Sequence, residues 1–405
     1  MSTPILSERL NLPRALGPTS GISEIAPDVL AGWFEAHGEP AYRARQVLDA
    51  IWRSAAAEPS GITTLAGPTR SALAAAFRWD TIAVTELTAS DGDRTEKGLH
   101  HLDDGVAIES VLMNYPAGPG RRERNTLCIS SQAGCAVGCP FCATGELGFG
   151  RDLTIAEILD QVRSAVRRLS AGGRHLTNIV FMGMGEPLLN LDAVLGAVAA
   201  LNDPARLGLG ARHITISTSG VVPGIARLTA LGPQFTLAVS LHAARDALRD
   251  VLVPLNRRWP VAEVAAAARA HADATGRRVS YEVTMISGVN DTDLDADAIG
   301  DLLRGSLAHV NLIPMNPVAH TPWTASSMPV IERFAERIRR FGIPVSVRRN
   351  RGQEVGAACG QLAAERAGAP SAPAVARRRE LLVVASVAAL RGERSREAAP
   401  DGIDA

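Results

Sequence analysis

Chemistry in this 405-residue chain concentrates at Gly134-Cys135-Ala-Val-Gly-Cys139-Pro-Phe141-Cys142, a CxxxCxxC triad on a loop of glycine and proline. Five cysteines are too few and too unevenly spaced for a disulfide framework, so they read as ligands or catalysts. Structural zinc takes four protein ligands in a closed tetrahedron, and no fourth Cys or His stands at ligand spacing nearby. Three thiolates on a [4Fe–4S] cluster would instead leave one iron open to substrate. The triad therefore reads as an iron–sulfur loop, with structural zinc or a fortuitous cluster as the alternative. Cys128 and Cys359 stand alone, and a lone cysteine is usually a small buried hydrophobe. Cys359, however, lies in Gly356-Ala-Ala-Cys359-Gly360-Gln361, a polar segment with glycines rather than an apolar stripe, which favours exposure.

Further polar groups close successive apolar runs: Gly183-Met184-Gly185-Glu186-Pro187, Ser217-Thr218-Ser219-Gly220, Ser240-Leu241-His242 and Met315-Asn316-Pro317. Each alone is an ordinary cap or turn. Four at successive strand ends are not independent. A glutamate acceptor flanked by glycines that allow close backbone approach suits an ammonium group.

Periodicity supplies the elements that must position these groups. Residues 1–80 predict a small helical domain, with segments at Asp28–His37, Tyr42–Ala55 and Ser71–Phe77. Residues 81–124 predict a short antiparallel meander of TIAVTELT, TEKGLHHL and VAIESVLM, punctuated by the hairpin signals Asp91-Gly92 and Asp104-Gly105. A Pro/Gly/Arg-rich loop, Asn114–Arg124, leads into the main domain, 125–362. There the strands NTLCIS, NIVFMG, HITIST, FTLAVSL, VSYEVTM and HVNLIPM alternate with helices that include Ile155–Arg168, Ala193–Leu201, Val261–Ala274 and Val330–Phe341. Six βα units demand parallel strands with right-handed crossovers, hence an α/β fold that is either a doubly wound sheet or an incomplete (β/α) barrel. Chemistry then belongs at the carboxyl ends of the strands. Residues 363–405 read as an Ala/Pro/Arg/Glu-rich extension, partly disordered.

With 46% hydrophobic and 21% charged residues, composition is that of a globular protein and excludes disordered, collagenous and low-complexity classes. The 42 basic residues cancel the 42 acidic ones, so any nucleic-acid face must be local. Lys97 is the sole lysine. Arg121, Arg122 and Arg124, with Arg348, Arg349 and Arg351, are the candidates for phosphate contacts, against a reading as solvated surface. The longest apolar run, Leu381–Leu390, falls short of the roughly 18 to 20 residues of a membrane span. With no apolar core of a signal peptide at the N-terminus, the expectation is a cytoplasmic protein with no membrane partner.

The CxxxCxxC spacing, with an aromatic residue before the third cysteine, resembles the radical S-adenosylmethionine (SAM) superfamily, which implies a partial (β/α)6 barrel. The likeness narrows with Cys128-Ile-Ser-Ser-Gln-Ala-Gly-Cys135, the GMGEP and STSG motifs, SLHA, Pro254-Leu255-Asn256, Asn316-Pro317 and the ACGQL segment. Together these resemble the RlmN family of dual-specificity adenine C2-methyltransferases, over roughly residues 20–365. The resemblance implies a [4Fe–4S] cluster on Cys135, Cys139 and Cys142, and SAM held by Gly185, Glu186, Ser217, Ser240, Leu241, His242 and Asn316. Cys359 would take a methyl group from one SAM. A second SAM, reduced through the cluster, would give a 5′-deoxyadenosyl radical that takes hydrogen from that methyl, and the methylene radical would add to C2 of adenine. Cys128 would resolve the covalent adduct through a transient disulfide with Cys359, and Glu109 would accept the C2 proton. Implied partners are 23S rRNA, tRNA and an electron donor such as flavodoxin or ferredoxin, with the enzyme a monomer. Two features depart from the family pattern: a long Arg-rich loop between Glu109 and Cys128, and the extension past Leu362. The rivals are a sister enzyme acting on C8 of adenine and, in another class, a non-catalytic RNA-binding module with a structural metal.

Overall fold

The computed structural model describes residues 20–362, apart from 55, 91, 93, 233, 349 and 350. The expectations for 363–405, for Asp91 and for Arg349 therefore lie outside the described residues. Three short helices come first among the described residues: α1 (Pro27–Ala36), α2 (Arg43–Trp52) and α3 (Gly67–Ala76). Both α1 and α3 carry proline in the first turn, where a missing N–H leaves no helix bond unmade. Their inward residues, Leu30, Phe34, Val47, Ile51 and Leu73, join the same apolar core as the rest of the chain.

Strands β1 (Ile82–Ser90), β2 (Thr95–Leu102), β3 (Ala107–Tyr115) and β4 (Arg124–Cys128) pair antiparallel in sequence order. A small ribbon of β5 (Gln132–Gly134) and β6 (Phe149–Asp152) brackets the cysteine loop and the one-turn helix α4 (Ala143–Leu147). After α5 (Ile155–Ala171) the chain alternates strictly: β7 (Asn178–Phe181), α6 (Leu191–Asn202), β8 (Ile214–Thr218), α7 (Val222–Leu231), β9 (Thr236–Ser240), α8 (Asp246–Leu252) and α9 (Val261–Thr275), β10 (Val279–Met285), α10 (Asp293–Leu303), β11 (Ala308–Pro314), α11 (Met328–Arg339) and β12 (Val345–Val347). The sheet order β1-β2-β3-β4-β7-β8-β9-β10-β11-β12 is linear. Strands β4, β7, β8, β9, β10 and β11 are the six parallel strands expected, and β12 adds a short seventh. Among the described residues nothing closes the ring, so the architecture is a partial barrel. The meander is not a separate layer. Through β4, which pairs antiparallel with β3 (Cys128 opposite Val111) and parallel with β7 (Cys128 opposite Val180), it continues the barrel sheet.

Helix α5 locks the barrel to the meander. Its start is set by a capping box in which Glu157 N–H donates to Thr154 Oγ1 at 3.2 Å and Thr154 N–H donates to Glu157 Oε2 at 2.8 Å. One turn on, Asp160 accepts from the Thr81 amide and hydroxyl, both at 2.8 Å, and its other oxygen pairs with Arg163 at 2.7 Å. Arg163 also donates to the Trp79 carbonyl at 2.7 Å. Both side chains are buried to 1% exposure, so neither charge has water to fall back on. Removing one partner of such a pair strands the other. Asp160→Ala is accordingly expected to lower stability by about 3–5 kcal/mol. Urea unfolding of the variant and the wild type checks this, and a loss below about 1 kcal/mol would show the pair to be dispensable.

Candidate active site at the strand ends

The carboxyl ends of the parallel strands surround a cavity of about 170 Å3. Cys135, Cys139 and Cys142 line one wall, and Gly185, Glu186, Ser217, Ser240, His242, Asn316 and Cys359 also reach it, so ten residues distant in sequence share one space. Three of the predicted residues, Leu241, Glu109 and Cys128, do not. The Leu241 side chain is in the core, and only its backbone serves the site, its carbonyl accepting from Arg249 Nε at 3.0 Å. Glu109 lines no part of this cavity.

The glycines around Glu186 have a different reason from the one the sequence suggested. A Cβ on Gly185, at φ +100°, would meet Gln132 Cβ at 2.6 Å, and one on Gly183 would meet the Ile129 carbonyl at 2.7 Å. Close packing against the segment that leads into the cysteine loop forbids side chains there. The same packing fixes Glu186: its amide donates to Gln132 Oε1 at 2.8 Å, and its carboxylate accepts from Leu188 N at 3.0 Å and from both Ser219 N and Ser219 Oγ at 2.7 Å. Ser219 of the STSG segment thus holds the carboxylate, while Ser217 lines the cavity. Burial raises the Glu186 pKa above the usual carboxylate value.

Two arginines organise the far walls: Arg249, which sequence reasoning missed, and Arg348, which it offered as a phosphate contact and which the structure places on Cys359 instead. Arg249, fully buried, donates to the carbonyls of Leu241 (3.0 Å), Ser219 (2.6 Å) and Ser240 (3.2 Å) and to Asn256 Oδ1 (2.8 Å), tying the ends of β8 and β9 together. Burial brings its pKa down to about 10, still cationic at neutral pH, and it faces Cys139. The signal was an arginine between Leu248 and Leu252, a charge on an otherwise apolar helix face. Arg348 donates to Cys359 Sγ at 3.3 Å, and Cys359 raises its pKa further. His242 holds the unusual φ of +58°. Its Nδ1 accepts from Thr284 N–H at 3.1 Å, and burial lowers its pKa to about 3, so the ring is neutral with its proton on Nε2.

Cys359 arrives on the segment after β12. Asn316 Nδ2 donates to the Cys359 carbonyl at 2.9 Å while Asn316 Oδ1 accepts from Gln353 at 2.7 Å, so both ends of this amide help to place the cysteine. Ala143 N–H, next to Cys142, donates to the Gly360 carbonyl at 2.7 Å. Cys359 also lines a second, smaller cavity with Cys128, Arg348, Met182, Val111, Met113 and Tyr115. Burial pushes Cys128 up to about 12, and Cys359 adds to the rise. Both thiols are free, so the Cys128–Cys359 disulfide expected from the resemblance is not formed in this structure. On β3, side chains alternate, and Glu109 shares a face with Val111, Met113 and Tyr115. It therefore stands one step beyond the inner end of the second cavity. There it is 2% exposed, with Lys97 Nζ, the chain's sole lysine, 3.0 Å from Oε1.

Whether the three thiols suit a cluster is a question of charge. Burial pushes Cys135 up to about 12, Cys139 well above its ordinary value and Cys142 upward, with Glu186 opposing ionisation of Cys135 and Cys139 further. Only thiolates ligate metal, so these donors fit a group that brings positive charge with it, as an iron–sulfur cluster does. Among the described residues no three His, Cys, Asp or Glu side chains converge as closely as a single metal ion requires.

The family model described as the radical SAM superfamily matches residues 129–298. A probable dual-specificity RNA methyltransferase RlmN of Thermobifida fusca is 46% identical over 87% of this chain and 97% of its own length. Its counterpart of the same name from Mycolicibacterium smegmatis is 45% identical over the same shares. A crystal structure of a radical SAM methyltransferase from Sphaerobacter thermophilus, 45% identical, superposes with a TM-score of 0.82 over 85% of this chain and all of that one. Near-complete coverage of relatives at this identity, on a barrel that gathers the cysteine loop and Cys359 into one cavity, means that the chain belongs to the RlmN family of radical SAM RNA methyltransferases.

Proposed function

We propose that the protein methylates C2 of adenine in 23S rRNA and in tRNA through a methylated Cys359. The observation that carries this reading is that Cys359 lines two cavities, one shared with the cysteine loop and the other with Cys128. Bound at Cys135, Cys139 and Cys142, a [4Fe–4S] cluster with SAM would supply the carbon radical that an unreactive C2 requires. Glu186 would hold the SAM ammonium, whose charge offsets the cost of burying the carboxylate. Gly185, Ser217, Ser240 and His242 would line the rest of the SAM site. Asn316 and Leu241 act on this reading as positioning residues.

Cys359 would first attack the methyl of SAM as a thiolate, leaving S-adenosylhomocysteine. Arg348, donating to its sulfur, would orient it for that attack. Cys128, buried on the other side, would attack the Cys359 sulfur of the base adduct, breaking its bond to the methylene carbon, which keeps the electron pair and takes a proton, and leaving a transient Cys128–Cys359 disulfide; an electron donor such as flavodoxin or ferredoxin would reduce the cluster. Glu109 would take the C2 proton, held ready by Lys97. The helical unit of residues 1–80 would help bind RNA, with residues 81–124 linking it to the 125–362 core. The reading also takes the protein as a cytoplasmic monomer. Among the described residues no helix is long and apolar enough to cross a membrane.

Two experiments test this. Cys359→Ala should give no methylated RNA, whereas Cys128→Ala should accumulate a covalent protein–RNA adduct, seen as RNA-dependent slow migration on a denaturing gel that ribonuclease collapses. Normal turnover by Cys128→Ala would overturn the division of roles. A charge-assisted hydrogen bond of roughly 1.5–3 kcal/mol is at stake at Arg348. Arg348→Gln should therefore slow methylation of Cys359 by about 10- to 100-fold, read by mass spectrometry of the Cys359 peptide. An unchanged rate would remove Arg348 from that step.

A further inference from the structure

At the outer end of the second cavity, two arginines from distant parts of the chain meet over one ring. Arg124 stands directly opposite Tyr115 in the β3–β4 register, and its Cζ is 4.2 Å from the ring centroid. Arg351, eight residues before Cys359, brings its Cζ to 4.5 Å from the same centroid and donates through Nη1 to the Asn114 carbonyl at 3.3 Å. Tyr115 and Arg351 also line the cavity that holds Cys128 and Cys359. Beyond them the chain turns through a hairpin closed by Gly118 and Arg121, each amide donating to the other's carbonyl at 3.0 and 2.9 Å. Gly120, at φ +68°, supplies the left-handed residue of that turn. Arg121 and Arg122 are exposed on it.

Two cations gathered on one ring repel each other. Elsewhere in the molecule arginines are neutralised: Arg151 by Asp104 and Glu157, Arg163 by Asp160 and Arg167 by Asp80. Among the described residues, neither Arg124 nor Arg351 has a carboxylate at ion-pair distance. Stacking on the tyrosine holds each guanidinium while its N–H edge remains suited to bidentate oxyanion recognition. The missing counter-charge is an anion with paired oxygens.

We propose that Tyr115, Arg124 and Arg351 form a clamp for backbone phosphates, gripping the RNA strand where its target nucleotide enters the cavity beside Cys359. This rests on the reading of the protein as an RNA methyltransferase and adds where the strand is held. Phosphate contacts fix register without reading sequence, as an enzyme accepting two classes of RNA requires.

The test is the salt dependence of RNA binding by the anaerobic holoenzyme, using a short stem-loop with an adenosine in its single-stranded loop. Each phosphate contact contributes about 0.7 to the slope of log K against log salt on single strands. Arg124→Gln and Arg351→Gln should each reduce the slope by about 0.7, and the double variant by about 1.4. Arg124→Lys and Arg351→Lys, which keep charge but lose the planar fork, should bind less tightly with the slope intact, which separates loss of a phosphate contact from loss of fold. Tyr115→Ala should lower the slope and Tyr115→Phe should preserve it. An unchanged slope in the double glutamine variant, with RNA still bound, overturns the clamp alone, as does a loss confined to one identity of the neighbouring base. A wild-type holoenzyme that binds no RNA overturns the methyltransferase reading and the clamp with it.

Discussion

Exclusion of water from the carboxyl ends of the parallel strands is the constraint on which this molecule depends. Three thiols, a carboxylate, an imidazole and a guanidinium meet there, and burial pushes each toward its neutral form: Cys135 up to about 12, Glu186 upward, His242 down to about 3 and Arg249 down to about 10. A low-dielectric pocket penalises an unpaired charge and strengthens a paired one. The chain responds by binding each group tightly to backbone: Arg249 to three carbonyls, Glu186 to two amides and a hydroxyl, His242 to the Thr284 amide. What the protein does not neutralise is the ionised form of the thiols. Those must be completed by what binds.

The unusual feature around that pocket is the continuity of the sheet. A parallel barrel alone would place a strand end, not a strand face, beside the reactive cysteine. By pairing β4 on both edges, antiparallel with β3 and parallel with β7, the chain extends the barrel wall outward. One face of β3 then presents Glu109, Val111, Met113 and Tyr115 in order, spanning roughly 20 Å at about 3.4 Å per residue. The candidate base and the candidate clamp are thus fixed on one rigid strand, their separation set by backbone geometry rather than by loops.

Much of this was legible in the sequence because period and turn chemistry agreed with the fold. β2 runs over Thr95–Leu102 and β10 over Val279–Met285, the bounds their alternation predicts. Three helices escaped for identifiable reasons. α7 opens Val222-Pro223-Gly224, which reads as a turn; α8 carries Arg249 where an apolar residue would reveal its face; and α10, DLDADAIGDLL, hides its stripe among aspartates. The cysteines, Glu186 and His242 were found because their types imply chemistry. The roles of Arg249, Arg348 and Lys97 were not: Arg249 showed only as a charge on an apolar helix face, Arg348 read as a phosphate contact, and Lys97 stood out only as the sole lysine. Asn316 was found because its spacing marks a strand end, and besides lining the cavity its amide links Cys359 to Gln353, which the spacing does not reveal.

The placement of Cys359 shows why such supporting residues matter more than their neighbours suggest. It sits on no strand or helix; the preceding turn, Gln353–Val355, begins and ends with glycines in the left-handed region. A segment of this kind has little intrinsic rigidity. Its position is imposed by contacts at both sides of the barrel: Asn316 to the Cys359 carbonyl, Ala143 to Gly360, Gln361 to Pro317, and Thr144 to Leu362. Two of these reach from residues adjoining Cys142, so the loop that carries the cluster thiols also sets the height of Cys359 above them. On the function proposed above, a sulfur that faces a methyl donor in one cavity and a base in the other tolerates little displacement. Fastening it to both the cysteine loop and β11's end couples the two cavities at a single atom.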